Sequence, residues 1–139
     1  MIKGKNILIR SVLLATIAAT LFFILRPARD KVRYEYQSKQ SLLTLQQALQ
    51  RFHVDDEAYP RKTPMAGAEL IRFLLEAEHL STPPLNPATL LPYALDGKEA
   101  DPILYTTDEQ AETYSLKVVA NGSNETLLIV DSTQHHSLE

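Results

Sequence analysis

Residues 7–25, Ile-Leu-Ile-Arg-Ser-Val-Leu-Leu-Ala-Thr-Ile-Ala-Ala-Thr-Leu-Phe-Phe-Ile-Leu, form one apolar run broken only by Arg10 and three hydroxyl residues. A helix rises about 1.5 Å per residue, so a bilayer core of about 30 Å takes about 20 residues. The run has that length, and it leads without a glycine into a polar stretch of helical pattern that ends near Phe52. This predicts a membrane anchor over residues 1–26 and a small head over residues 27–139. A chain built this way works where its stalk is held, at or within a membrane.

The run exceeds the apolar region of about 7–15 residues found in signal peptides. Its small residues, Ala-Thr-Ile-Ala-Ala, lie in the middle and not after the end. The anchor is therefore expected to be retained. Arg10 is near one end, where a long side chain can snorkel to the headgroups. Lys3, Lys5 and Arg10 flank one side; Arg26, Arg29, Lys31 and Arg33, diluted by Asp30, flank the other. The balance is too even for the positive-inside rule to orient the span.

The net charge of −3 conceals an asymmetry, since all 17 acidic residues follow position 26. Residues 26–62 carry eight basic and five acidic side chains, and residues 96–139 carry two basic and nine acidic. No uniformly basic surface for nucleic acid is present. A basic stalk beside an acidic head suits head-to-tail packing of copies. The absence of cysteine excludes disulfides, thiolate metal sites and lipid attachment to cysteine.

Pro27, just past the run, either starts a new helical segment or kinks a continuous one. Residues 28–53 then lack both Gly and Pro, and Leu42, Leu45, Ala48, Leu49 and Phe52 recur at helical spacing. The stalk helix is thus expected over 27–53. Its upper half should pack on the head, and Lys31–Gln40 should form a solvated neck or a contact with neighbours. A second helix is expected with Thr63 as cap, Pro64 in its first turn and Leu70, Ile71, Leu74 and Leu75 on its buried face. Five prolines in 83–102 mark an ordered surface loop, so that 54–102 reads as a helix-and-loop region. Three strands follow within 103–131: Ile103–Thr107, Thr113–Ala120 and Glu125–Asp131. Asn121-Gly122 gives the hairpin turn between the last two. Residues 132–139 read as a frayed tail.

No nucleophile elbow, phosphate loop or zinc-binding helix motif occurs, and the expectation is a protein without enzymatic activity or cofactor. His53 and His79 read as helix-end residues, His135-His136 as a short exposed pair, and Asp55-Asp56-Glu57 as a solvated helix-end loop. The interaction candidates lie in the stalk. Ala15, Ala18 and Ala19, with Thr16, mark either a helix-packing face or lipid-facing filler. Phe22 and Phe23 lie near the end of the run, and Pro27 lies just past it. Tyr34 and Tyr36 serve as interfacial anchors or pack on a partner helix.

The words Ala48-Leu49-Gln50-Arg51-Phe52-His53-Val54-Asp55-Asp56-Glu57-Ala58-Tyr59-Pro60, with Pro27 about twenty residues into the helix, resemble the type IV pilin family, and within it the major pseudopilins of type II secretion. Asp101-Pro102-Ile103-Leu104-Tyr105 and Tyr114-Ser115-Leu116 followed by Asn121-Gly122 are similar to further family words. The resemblance spans most of residues 20–131. It implies an α+β pilin-like fold: a long N-terminal helix, a short second helix and a three-stranded antiparallel sheet packed on the first. It also implies a single-pass structural protein of a bacterial inner membrane with a periplasmic head. Its partners would be lipid and, through the N-terminal helix, copies of itself or other membrane proteins. Calcium is the one ion the resemblance suggests, with oxygen donors available at Asp108, Glu109, Glu112, Asn121, Ser123, Asn124 and Glu125. The chain departs from the family at its processing site. Gly4 is followed by Lys5 where the family has Phe, and Ile9 stands where it carries Glu. A second reading follows: an unprocessed single-span accessory subunit of a larger membrane complex.

Overall fold

The computed structural model describes residues 2–120 and 122–133, with side chains from Lys5 onward. The chain divides into two compact units, Met1–Arg33 and Tyr34–Glu139. A single helix of 55 residues, α1 (Ile2–Asp56), supplies the first unit and opens the second. Ala, Leu, Gln, Lys and Arg, which dominate it, are strong helix formers. Pro27 removes one backbone donor, yet the helix runs through it. Of the two roles left open for Pro27, the structure has the continuous helix. α1 closes at Glu57, whose φ of 57° is left-handed and whose N–H donates to the His53 carbonyl at 2.9 Å.

The second unit is an α+β head. Leu42, Leu45, Ala48 and Leu49 of α1 are at most 1% exposed and share one core with α2 and the sheet. Burial also begins earlier than the expected solvated neck allowed. Tyr34 and Ser38 are buried as well, so the neck reading of Lys31–Gln40 is corrected for these two positions. Their polar atoms are satisfied: the Tyr34 hydroxyl donates to the Val119 carbonyl at 2.6 Å, and Ser38 Oγ to the Tyr34 carbonyl at 2.7 Å. A hydroxyl with an internal partner can be buried at little penalty.

Helix α2 spans Gly67–Glu76 and buries Leu70, Ile71 and Leu74 of the expected face, while Leu75, expected with them, is only half-buried at the edge of the core. Its start is corrected by about three residues. Ala66 holds the cap position and has no side-chain oxygen to offer. The cap comes from far along the chain: Asp101 accepts the Gly67 N–H (3.1 Å) and the Ala68 N–H (2.9 Å). Thr63, expected to cap, accepts the Thr107 N–H at 3.1 Å instead, and the Thr63–Pro64 peptide is cis.

The sheet has four strands, not three: β1 (Met65–Ala66), β2 (Ile103–Thr107), β3 (Tyr114–Val119) and β4 (Thr126–Asp131), in the order β1-β2-β3-β4 and antiparallel throughout. The added strand is only two residues long, too short to carry an alternation pattern. It pairs Met65 with Tyr105 and Ala66 with Leu104. In β3, Tyr114, Leu116 and Val118 point into the core, the face expected from their period of two. A bulge between Val118 and Val119 leaves Leu127 between two paired positions of β4. Gly122 has a φ of 78°, a turn conformation open to glycine at no steric cost. Asn121 and residues 134–139, with His135 and His136, lie outside the described residues. The frayed-tail reading of 132–139 is corrected at its start: Ser132 donates its N–H to the Tyr114 carbonyl at 3.1 Å, and its Oγ accepts the Tyr114 N–H at 3.3 Å.

The proline-rich loop is held by Asn86, which is fully buried. Its side-chain amide donates to the Ala100 carbonyl (2.8 Å), and its side-chain oxygen accepts the Ala88 N–H (2.9 Å). Its backbone N–H donates to Leu91, and its carbonyl accepts from Thr89 and Leu90. Ser41 Oγ donates to the Leu85 carbonyl at 2.6 Å and the Tyr93 N–H to the Pro84 carbonyl at 2.9 Å, so the loop is ordered by scattered hydrogen bonds rather than by a long regular element.

Candidate functional site

The first unit offers a surface that water does not favour. In α1 an 18-residue window has a mean hydropathy of 2.3, and none of it is buried within the protein. Leu8, Leu14 and Phe23 are each about 70% exposed. This long apolar helix could span a membrane.

The polar side chains of the run fit that setting. Ser11, Thr16 and Thr20 each donate to the carbonyl four residues earlier, Ile7, Val12 and Thr16, at 2.8–2.9 Å. A hydroxyl bonded to its own helix presents no free donor to hydrocarbon. Arg10 is exposed near one end, within snorkelling reach of an interface.

The candidate contact residues fall into two groups. Ala15, Ala18, Ala19, Phe22, Phe23 and Pro27 are all exposed on α1, and the Phe22 and Phe23 rings meet edge-on with centroids 6.3 Å apart. At about 100° per residue, Ala15, Ala18, Ala19 and Phe22 share one face. Tyr34 and Tyr36 separate sharply despite being two residues apart. Tyr36 is 64% exposed, whereas Tyr34 is 9% exposed and fixed to Val119. Tyr36 is thus free to meet lipid or a partner, and Tyr34 is occupied in its own head.

In the head the carboxylates and imidazoles do not converge. Among the described residues, no three His, Asp or Glu side chains gather as a metal-ligand set. Asp101 lines an open depression with Tyr34, Pro102 and Val119, but its oxygens already accept from Gly67, Ala68 and the Tyr93 hydroxyl, the last at 2.5 Å. Burial, reinforced by the Asp101 contact, pushes the Tyr93 hydroxyl far above its ordinary pKa. Among the expected calcium donors, Ser123 Oγ accepts the Glu125 N–H at 3.2 Å. Asp108 accepts the N–H groups of Glu112 (2.8 Å) and Thr113 (2.9 Å), and these bonds hold its carboxyl below its ordinary value.

The helix-end residues form aromatic contacts. His53 lies against Tyr59 with centroids 4.5 Å apart and ring planes tilted by 37°, and Tyr59 meets Tyr114 edge-on at 4.6 Å. His79 sits edge-on to Phe52 at 5.5 Å, with Nε2 at 3.6 Å from Asp55. The residues that sequence reasoning missed are Asp101, Tyr93 and Asn86. An acidic residue 34 positions from the helix it caps leaves no local signal. Comparison with protein-family models, with curated proteins and with solved structures gave no match.

Proposed function

We propose that this chain is a membrane-anchored, non-enzymatic structural protein of pilin-like type, which docks or assembles through its N-terminal helix. The observation that carries the reading is the fully exposed apolar length of α1, with every hydroxyl inside the 7–25 run bonded to its own helix. In water such a surface would drive association or aggregation; in a bilayer it is the favoured surface. The head supports the reading in its own unit. The continuation of the helix is buried on one face against an antiparallel sheet, the arrangement implied by the pilin resemblance. The anchor places the head at the membrane surface, and the exposed faces of the stalk supply contacts.

The second reading, an unprocessed accessory subunit of a larger membrane complex, is favoured by Lys5 after Gly4 and by Ile9 in place of an acidic residue. A carboxylate at that point would offset a neighbour's amino terminus among packed apolar helices, and without it such packing leaves a buried charge uncompensated. A photo-crosslinking residue placed at Val32, 66% exposed, tests both in native membranes. Self-adducts support assembly of copies. A fixed set of foreign proteins supports the subunit. Full release of the protein by alkaline carbonate would refute both.

A further inference from the structure

We propose that Arg26, Arg29 and Arg33 form a single face that binds the phosphate headgroups of anionic phospholipids. The inference deepens the anchor reading of residues 7–25 and rests on it. At about 100° per residue, Arg29 and Arg33 lie only about 60° and about 20° from Arg26 around the axis of α1. Lys31 stands about 140° away, and Asp30 about 40° away on the other flank. The three arginines are exposed, and none of their side chains makes a hydrogen bond or ion pair with a described residue. Arg26 and Arg29, and Arg29 and Arg33, repel at spacings of three and four residues, and Asp30, four after Arg26 and three before Arg33, offsets only part of their charge. An external anion relieves that repulsion.

Depth selects the anion. Arg26 directly follows Leu25, the last residue of the apolar run. Arg29 lies about 5 Å further along and Arg33 about 11 Å. Each headgroup layer is about 5–7 Å thick. Arg26 and Arg29 therefore sit within it, and Arg33 reaches back along its flexible stem. A guanidinium presents a planar fork that matches a phosphate bidentately. Continuity with the apolar span commits the face to lipid, since a membrane lipid holds its phosphate at this depth.

The test uses the full chain in vesicles of equal phosphatidylglycerol and phosphatidylcholine, with spin-labelled forms of each lipid reporting relative association. The expected result is a preference for phosphatidylglycerol of about fivefold per engaged arginine at low salt. It should weaken as salt shortens the screening length. The triple variant R26Q/R29Q/R33Q should lose it, and Lys31→Gln, which changes the same charge type off the face, should keep most of it. Equal association of both lipids, or a preference that survives the triple replacement, overturns the proposal. So does displacement by inorganic phosphate beyond that by chloride at matched ionic strength, which would mark a free-phosphate site. Carbonate extraction of the same vesicles separates the failures. Embedded protein without a preference overturns the lipid face alone, while stripped protein overturns the anchor reading together with it.

Discussion

Asp101 closes the N-terminus of α2 by accepting the backbone N–H of Gly67 at 3.1 Å, across 34 positions of sequence. The approach is possible because Gly67 has no side chain. A Cβ there would lie 2.7 Å from Asp101 Oδ1 and 2.8 Å from both the Ile103 Cβ and the Tyr93 hydroxyl. Gly67→Ala should therefore destabilise the head by about 1–3 kcal/mol, because two of the three neighbours are a fixed cap and a strand. Chemical denaturation of the full chain in detergent, followed by near-ultraviolet circular dichroism of the head tyrosines, measures it. Asp101→Ala should lose about 1–2 kcal/mol through the cap alone.

The contrast between Tyr34 and Tyr36 gives a second measurement. Tyr34→Phe removes the donor to Val119 and leaves that carbonyl without this partner. A loss of about 1 kcal/mol is expected. Tyr36→Phe, at a residue 64% exposed, should change stability by less than about 0.5 kcal/mol. Equal effects in the same denaturation assay would contradict the placement of Tyr34 in the core.

Leu45 is fully buried in the centre of the α1 stripe. Leu45→Ala removes its contacts and leaves a cavity, for an expected loss of about 2–5 kcal/mol. Val54→Ala on the same helix, at a residue 77% exposed, is the matched control and should be close to neutral.

Stability should fall at both ends of the pH scale. Asp108 has its pKa lowered from 3.8, chiefly by the Thr113 N–H, so its contribution is full above that value and is lost as pH falls through the lower folded pKa. Asp108→Asn should flatten the acid limb of the melting temperature below about pH 4. Burial pushes Tyr105 up to about 12 and raises Tyr93 and Tyr114 further. Raised pKa values reverse the direction. Their contribution is full below pH about 10, the ordinary tyrosine value, and declines above it as the unfolded chain ionises first. Melting temperatures from neutral pH upward should show the alkaline fall beginning near that point.

Leu14, 68% exposed near the middle of the apolar run, tests the anchor. Leu14→Arg should cost about 2.5–3.5 kcal/mol in insertion, enough to shift much of the protein out of the carbonate-resistant fraction. Arg10 sits toward the end of the same run, so Arg10→Leu should leave that fraction intact.

The parts of the fold that were legible in the sequence are those where side-chain chemistry repeats along a regular element. The Leu42–Leu45–Leu49 stripe, the Leu70–Ile71–Leu74 face and the alternation of Tyr114, Leu116 and Val118 all carry their own period. What stayed hidden rests on contacts distant in sequence. Asp101 reads as an ordinary acidic loop residue until the fold brings it to Gly67, and so Thr63 was the plausible cap by proximity. Tyr34 and Ser38 read as polar neck residues because a hydroxyl's eventual acceptor, here Val119 or the helix itself, is not written beside it. β1 was missed because two residues cannot display a period. In the candidate site, the apolar length and flanking charges were visible as composition, but the sharing of one arc by three arginines follows only once the helix is continuous through Pro27.

The tethering of Ser11, Thr16 and Thr20 to their own carbonyls would have a consequence for a helix like this one set in lipid. With those hydroxyl protons turned inward, hydrocarbon would meet no free hydroxyl donor from any side. Spin about the long axis is then nearly free of hydrogen-bonding preference within the acyl region. Any polar preference for one azimuth would then be set at the rim, by the groups that meet the water boundary.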